Sequence, residues 1–276
     1  MTLTRSYEAG EYRPEYGILM LRDASSDGTE GWFTRSELTE HATAAEPGGT
    51  ISRAGYGWLQ AAAGEGPVTV RLEMHDCRPE PDVDSWDDVV ETPYNSSTGA
   101  VGLTVVTGAH MATHLMLDGS GFYRARMARK DATWRLQFWL APVEPPRWLR
   151  RSSPAVLSGE TAAPDSTSGI RRYTSFASDL VSLAAWLGPN TKVSMASLAE
   201  RLLAPEEAIR TTLQYAVEME LLEVTGELGL TVLPRLYPEP PRPFSHPAIP
   251  PLNPETAEQR FPICGMATFI PATDES

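Results

Sequence analysis

The sequence predicts an α+β protein of two domains, in which an antiparallel β-sandwich-like domain precedes a smaller helical domain. Short apolar runs separated by turn residues fill the first half of the chain, which is typical of a sandwich or a barrel. Apolar residues at helical spacing follow only after residue 178, and they form three successive stripes.

The clearest strand of the N-terminal domain is Val68–Met74, in which apolar and polar side chains alternate. A period of two places the apolar side chains on one face, as in a half-buried strand. Turn residues such as Ser97-Thr-Gly99 and Asp118-Gly-Ser-Gly121 separate the neighbouring runs. Further strands are predicted over residues 16–22, 103–106, 113–117, 122–127 and 134–139.

Two short runs in this half form a recognisable pattern, Trp86-Asp-Asp-Val-Val-Glu91 and Gly121-Phe-Tyr-Arg-Ala-Arg-Met127. Arg129-Lys-Asp131 and Leu136-Gln-Phe-Trp139 follow the second run. Together they resemble a pattern in uncharacterised actinobacterial proteins, over about residues 65–150. The resemblance implies a β-domain and no particular activity.

Three helices are predicted in the second half. The first has an apolar stripe over Leu180–Leu187 and stops at Gly188-Pro189. The second begins after Ser194, whose hydroxyl can accept a hydrogen bond from a free backbone N–H of the first turn. The third follows Pro205, a residue favoured at the first position of a helix, and its apolar positions share one face.

A β-hairpin is predicted after the third helix, because Leu221–Thr225 and Leu228–Leu233 flank Gly226-Glu227. This order, together with Ser197-Leu-Ala-Glu-Arg-Leu202 before a tight turn, resembles the winged-helix branch of the helix-turn-helix class over about residues 178–234. The resemblance implies that the third helix enters the major groove of DNA.

The resemblance places Glu206, Glu207, Arg210, Thr211 and Gln214 of the third helix at DNA-facing positions. If the protein binds DNA, Arg210 is expected to contact a base or a phosphate, and Lys192, Arg171 and Arg172 are expected to supply further backbone contacts. Glu206 and Glu207 at the helix start and Glu227 at the hairpin tip oppose DNA binding, because neutralising phosphates dominates DNA affinity.

The leading hypothesis is therefore a DNA-binding regulator whose β-domain senses or recruits a partner. The alternative is a protein–protein interaction adaptor whose winged helix does not bind DNA. A protein partner is expected in both cases, and the oligomeric state is left open.

Charge and proline content divide the chain into four predicted segments. They are a β-sandwich-like domain at 1–145, a Pro/Ser-rich linker at 146–177, a winged-helix domain at 178–237 and a Pro-rich extended tail at 238–276. From residue 234 onward lie 11 of the 24 prolines, and proline lacks the backbone donor that regular structure needs. The linker has arginines at both edges, which could supply phosphate contacts.

Two metal sites can be drawn from the sequence, and both are disfavoured. A calcium site would use four neighbouring carboxylates: Asp82, Asp84, Asp87 and Asp88. The stretch lacks the glycine and the closing glutamate of a calcium-binding loop, so a solvated acidic loop is predicted.

A zinc site would use imidazole and thiol groups: His75, Cys77, His110 and His114. Residues four apart on a strand lie roughly 13 Å apart, too far for one ion.

Composition and motifs predict a non-enzymatic protein without cofactor or metal. The 276 residues have a formal net charge of −13, so the surface as a whole cannot coat nucleic acid. No nucleophile–base set or glycine-rich phosphate loop is recognisable. No apolar run reaches the roughly 18 residues of a membrane helix, and the N-terminus lacks the apolar core of a signal peptide. A cytoplasmic protein is therefore predicted.

Overall fold

The computed structural model describes residues 2–15, 17–24, 53–54, 57–63, 66–105, 113–152, 155, 175–187, 191–218 and 221–232. These residues form thirteen strands, three α-helices and one short 3-10 helix at Val83–Ser85.

The strands are β1 Leu3–Tyr12, β2 Ile18–Asp23, β3 Arg53–Ala54, β4 Trp58–Ala62, β5 Val68–His75, β6 Asp88–Ser96, β7 Ala100–Thr104, β8 Leu115–Met116, β9 Gly121–Lys130, β10 Thr133–Leu140, β11 Arg147–Arg150, β12 Leu222–Thr225 and β13 Gly229–Val232. The helices are α1 Ser175–Leu187, α2 Met195–Leu202 and α3 Glu206–Glu218.

Two large sheets dominate the described fold. One has six strands in the order β1-β5-β10-β9-β6-β11, and the other has five in the order β3-β4-β2-β7-β8. The six-stranded sheet is mixed, because β10 runs parallel to β5, whereas its other pairings are antiparallel. A separate hairpin is formed by β12 and β13.

The main core lies against one face of the six-stranded sheet, where alternate residues of its strands are buried. Val70 and Leu72 of β5 and Leu136 and Phe138 of β10 have no exposed surface. They belong to the same apolar cluster as Leu21 of β2 in the other sheet. The alternation predicted for 68–74 is thus confirmed, because one face of that strand packs inside the molecule.

Asp23, at the end of β2, links the two sheets through hydrogen bonds. It accepts one from the Tyr94 hydroxyl at 2.7 Å and one from the Ser97 hydroxyl at 2.9 Å. Tyr94 belongs to β6 and Ser97 to the turn between β6 and β7, so the carboxylate fixes the turn where the chain passes from one sheet to the other.

The three helices follow the strands in sequence. Ser194 is confirmed as the N-cap of α2, because its hydroxyl accepts a hydrogen bond from the Ser197 backbone N–H at 3.1 Å. Helix α1 packs on α3, β13 and β3, while α2 packs on α3 and β11. The helices are therefore in contact with both large sheets.

Arg151 holds the helices against the strand region. Its guanidinium carbon lies 3.4 Å from the centroid of the Trp148 ring. Trp148 belongs to β11, the edge strand of the six-stranded sheet. The same side chain pairs with Asp179 of α1 at 2.9 Å and donates to the backbone carbonyl of Leu202 in α2 at 2.8 Å. One buried side chain thus joins a strand to two helices.

The predicted fold class, α+β with an antiparallel β-sandwich-like domain and a winged-helix domain, is wrong. The described fold is mostly β, and its largest sheet is mixed. The helices and the hairpin occur, but they do not build a domain around a helical core of their own. Phe176 and Leu180 of α1 belong to the same buried cluster as Trp148 and the strand residues. Periodicity located the apolar faces but not what they pack against.

The predicted segment boundaries remain predictions. Strand β11 lies within the segment predicted as a linker, and residues 156–174 and 238–276 lie outside the described residues. None of the described helices is long and apolar enough to span a bilayer.

Candidate functional site

Helix α3 exposes three of the side chains implied for DNA contact, Arg210, Thr211 and Gln214. The helix begins with Glu206 and Glu207, where carboxylates complement the helix dipole. Its opposite face is buried and consists of Ile209, Thr212, Leu213 and Ala216. Because this stripe packs inside the molecule, the side chains of Arg210, Thr211 and Gln214 on the other side of α3 face solvent.

The polar side chains of α3 interact within the helix. The Arg210 guanidinium lies 3.9 Å from the Glu206 carboxylate one turn earlier. The Gln214 side-chain N–H donates to Glu218 at 3.0 Å, and the Thr211 hydroxyl donates to a backbone carbonyl at 3.0 Å. The exposed face thus presents three carboxylates around one guanidinium: Glu206, Glu207, Glu218 and Arg210.

Lys192 is attached to the hairpin tip. Its ammonium lies 3.0 Å from the carboxylate of Glu227, and its backbone forms a bridge with Gly229. The next residue, Val193, donates its N–H to the Leu228 carbonyl at 3.3 Å. The cation expected to contact a phosphate therefore already lies beside an acidic side chain.

The arginines at the first edge of the predicted linker are also engaged. The pairs are Arg147–Glu200 at 3.3 Å, Arg150–Asp84 at 3.0 Å and Arg151–Asp179 at 2.9 Å. Arg171 and Arg172, at the other edge, lie outside the described residues. The structure brings Arg210, Thr211 and Gln214 together on one helix face, with Lys192 at the hairpin.

The acidic stretch pairs with arginines of neighbouring strands instead of forming a calcium site. The pairs are Asp82–Arg135, Asp84–Arg150, Asp88–Arg129 and Glu91–Arg126. Burial raises the pKa of Asp82, but its bond to Arg135 and the charge of that guanidinium lower it more, so the net shift is downward. Asp88 and Glu91 are buried, so the prediction of a solvated loop is wrong for this part.

The zinc hypothesis finds no support among the described side chains, where no group of three or more candidate ligands comes together. His75 bonds to the Glu73 carboxylate at 3.0 Å through Nε2. His114 accepts the Leu103 backbone N–H at 2.9 Å through Nδ1, and burial lowers its pKa. His110 lies outside the described residues.

A row of buried polar side chains, which the sequence analysis did not find, crosses the six-stranded sheet on the face away from the core. Its members are cross-strand neighbours on β5, β10, β9 and β6: Glu73, Gln137, Arg126 and Glu91. Gln137 donates to Glu73 at 2.9 Å, and Arg126 donates to Gln137 at 3.3 Å. Arg126 also donates twice to Glu91, at 3.0 and 2.8 Å.

The segment between β5 and β6 covers this buried row. Arg126 donates to the Glu80 carbonyl at 3.3 Å, and Arg78 reaches Glu91 at 3.2 Å from the solvent side. Arg124, next to the row, donates to the Pro145 carbonyl at 3.2 Å. Burial lowers the pKa of Arg124 to about 10, although the charge of Glu91 opposes the shift.

The buried row favours one strand register, because a slip would separate three buried charges and one amide from their hydrogen-bonding partners. The signal in the sequence was alternation: Arg124 and Arg126 alternate with apolar residues along β9. Such charges usually face water, so the pattern alone does not reveal that a loop buries them.

No protein-family model and no curated protein matches the chain. Two solved structures are distantly similar. ComJ from Bacillus subtilis, described as an inhibitor of the DNA-degrading activity of NucA, is 11% identical with a TM-score of 0.32, over 50% of this chain and 96% of ComJ. A protein described as crocagin biosynthetic gene J is 12% identical with a TM-score of 0.33, over 49% of this chain and 96% of its own. Likeness this distant assigns neither fold nor function.

Proposed function

We propose that the chain is a non-enzymatic protein-interaction adaptor that binds a basic partner through an acidic face. The acidic face consists of the exposed carboxylates of α3 and of the hairpin tip: Glu206, Glu207, Glu218 and Glu227. The observation that carries the proposal is that the described basic side chains implied for DNA contact, Arg210 and Lys192, each lie beside one of these carboxylates.

Charge favours a protein partner over DNA at this surface. A phosphate that approaches Arg210 meets Glu206 within the same turn of α3, and Lys192 is likewise screened by Glu227. Lysine and arginine side chains of a partner would instead find carboxylates that are 52% and 85% exposed at Glu206 and Glu227. Complementary charge speeds encounter and selects between partners.

The test is a fluorescence anisotropy titration of the full-length chain with a labelled lysine-rich peptide and, separately, with a labelled DNA duplex. We expect binding of the peptide and none of the duplex. Glu207→Lys should weaken peptide binding roughly tenfold, since reversing one surface charge costs on the order of 1 kcal/mol. Asp131→Lys is the matched control, because Asp131 is also exposed but lies in the β9–β10 turn. Its φ is 50°, which lysine adopts less readily than aspartate, so circular dichroism checks that this variant folds.

The same titration tests DNA binding, which stays a prediction for Arg210, Thr211, Gln214, Lys192, Arg171 and Arg172. Duplex binding that falls steeply with salt, and that Arg210→Ala weakens, would overturn the adaptor proposal. Equal losses for Glu207→Lys and Asp131→Lys would show that overall charge, and not the acidic face, attracts the peptide.

A further inference from the structure

Three of the four outer strands of the two sheets have other elements packed beside them. Strand β11 contacts α2, strand β3 contacts α1, and strand β8 contacts β1 and β5. Strand β1 is the remaining edge. Apart from its partner β5 and the short β8, no described element makes an extended contact with it.

Strand β1 packs against the core through one face only and is otherwise exposed. Of its ten residues, seven are exposed and three, Tyr7, Ala9 and Tyr12, are half-buried. The strand contains neither proline nor lysine, which commonly protect sheet edges from pairing. Its register with β5 is regular over Arg5–Ala9 and shifts only on either side of that stretch. The backbone groups on its outer side can therefore pair with another strand.

We propose that the outer edge of β1 accepts an extended segment of a partner protein as a seventh strand of the sheet. The segment combines an apolar residue with a lysine or arginine four positions away, so that both side chains lie on one face of the added strand. This interface is a second binding surface of the proposed adaptor, and it is tested separately from the acidic face. Main-chain hydrogen bonds would provide affinity, and the side chains beside the edge would provide specificity.

Two exposed apolar side chains, one on β1 and one on β8, lie toward one end of the edge. Leu3 of β1 is 40% exposed and Met116 of β8 is 50% exposed. The two strands are in contact, and the Arg5 guanidinium donates to the Met116 carbonyl at 3.3 Å. An apolar side chain of the added segment would cover surface here that water now contacts.

A negative contact point lies farther along the edge, at the exposed side chains Glu8 and Glu11. The neighbouring guanidiniums are already engaged: Arg71, opposite Glu8 in the register, pairs with Glu73 at 2.7 Å. Arg5 pairs with Asp118 at 2.8 Å. A basic side chain of the partner therefore meets two exposed carboxylates, and Arg71, the cation opposite Glu8, is already paired with Glu73.

The distance between the two contact points sets the length of the segment. Leu3 and Glu8 are five residues apart in β1, but the register shift between Leu3 and Arg5 places them opposite His75 and Arg71, which are four residues apart on β5. Four residues of a regular strand span roughly 13 Å. A segment of about eight residues spans both. Charge disfavours a second copy of this chain as the occupant, because each copy has a net charge of −13 and would bring its own Glu8 and Glu11 to the edge.

The experiment selects octapeptides from a random phage-displayed library against the full-length chain and titrates the selected peptides by anisotropy. We expect enrichment of peptides with an apolar residue and a basic residue four positions apart. Glu8→Lys with Glu11→Lys should weaken their binding at least tenfold. Glu206→Lys with Glu207→Lys makes the same change of net charge on the acidic face and should leave their affinity unchanged. Circular dichroism checks that both variants fold.

Hydrogen exchange separates strand addition from side-chain contact. Bound peptide should slow amide exchange within Arg5–Ala9, because the outer N–H groups become hydrogen-bonded. Unchanged exchange there would overturn the proposal, as would the failure of any peptide to enrich. Loss of binding only in the Glu206/Glu207 variant would overturn it too and leave the acidic-face adaptor standing. A dimer of the free chain that the Glu8/Glu11 variant abolishes would assign the edge to a second copy instead.

Discussion

At the scale of a single residue, Glu73 illustrates how the sheet accommodates a buried charge. Its side chain is 6% exposed, and burial raises its pKa. Hydrogen bonds from Gln137 and His75, with the charges of Arg71 and Arg135, lower the pKa by more, so the net shift is downward. The environment therefore favours the ionised carboxylate in the folded chain.

This shift predicts an acid-sensitive contribution to stability. A carboxyl whose pKa is lower in the folded state stabilises the fold above its unfolded pKa, about 4.5, and the contribution is lost as pH falls through the folded value. Glu73→Gln should therefore reduce the free energy of unfolding near neutral pH, and the difference from wild type should shrink in acid. Urea titrations across this range measure it, with the exposed Glu8→Gln as control. A pH-independent difference would contradict the explanation.

At the scale of an element, the turn between β6 and β7 depends on glycine. Gly99 has a φ of 72°, and a Cβ placed on it would lie 2.7 Å from the backbone of Gly119. Gly119 has a φ of 99° but open space around it, and Gly10 has open space and no positive φ. A Cβ at Gly99 would meet both a steric clash and backbone strain, one at Gly119 only strain, and one at Gly10 neither.

Alanine substitutions at these three glycines should lower the free energy of unfolding by different amounts, with the largest loss at Gly99 and the smallest at Gly10. Gly99→Ala should cost about 3 kcal/mol of unfolding free energy, because left-handed strain and backbone overlap add. Gly119→Ala should cost about 1–2 kcal/mol from strain alone, and Gly10→Ala less than about 0.5 kcal/mol. Chemical denaturation measures all three. Equal costs at Gly99 and Gly119 would show that the turn relaxes enough to remove the clash.

Elements were predictable where apolar residues recur at the spacing of a strand or a helix, as on the core faces of β5 and β10, although Glu73 and Gln137 on their other faces are buried as well. Alternation gave β5 and β10, and helical spacing with Ser194 gave α2. Strand β1 was missed because only Tyr7, Ala9 and Tyr12 of its residues pack against the core, so its sequence has no continuous apolar run. Strand β6 was missed because Asp88, Glu91 and Pro93 are typical of a loop. In the fold, Asp88 and Glu91 pair with Arg129 and Arg126 of β9, the neighbouring strand in the sheet. Both the candidate edge and the buried row therefore escaped sequence analysis.

At the scale of the whole molecule, the arrangement of the elements was the unpredictable part. A helix with one apolar face can pack on other helices or on a sheet, and the sequence pattern is the same in both cases. Here the buried face of α1 joins the cluster that contains Trp148 and the strands. Likewise, a parallel pairing such as that of β5 with β10 joins residues far apart in sequence and leaves no local signal.

Because the helices and the sheets share one core, we expect the described region to unfold as one cooperative unit. Arg151 provides the sharpest test, since its side chain and that of Asp179 are 5% and 3% exposed. Removing one partner of a buried ion pair costs about 3–5 kcal/mol, so Arg151→Ala should lower the free energy of unfolding by that amount. Arg147→Ala breaks the exposed pair with Glu200 and should cost less than about 1 kcal/mol. Far-ultraviolet circular dichroism and tryptophan fluorescence should report coincident transitions in the wild type. Two separate transitions there would mean that the helices fold independently of the sheets.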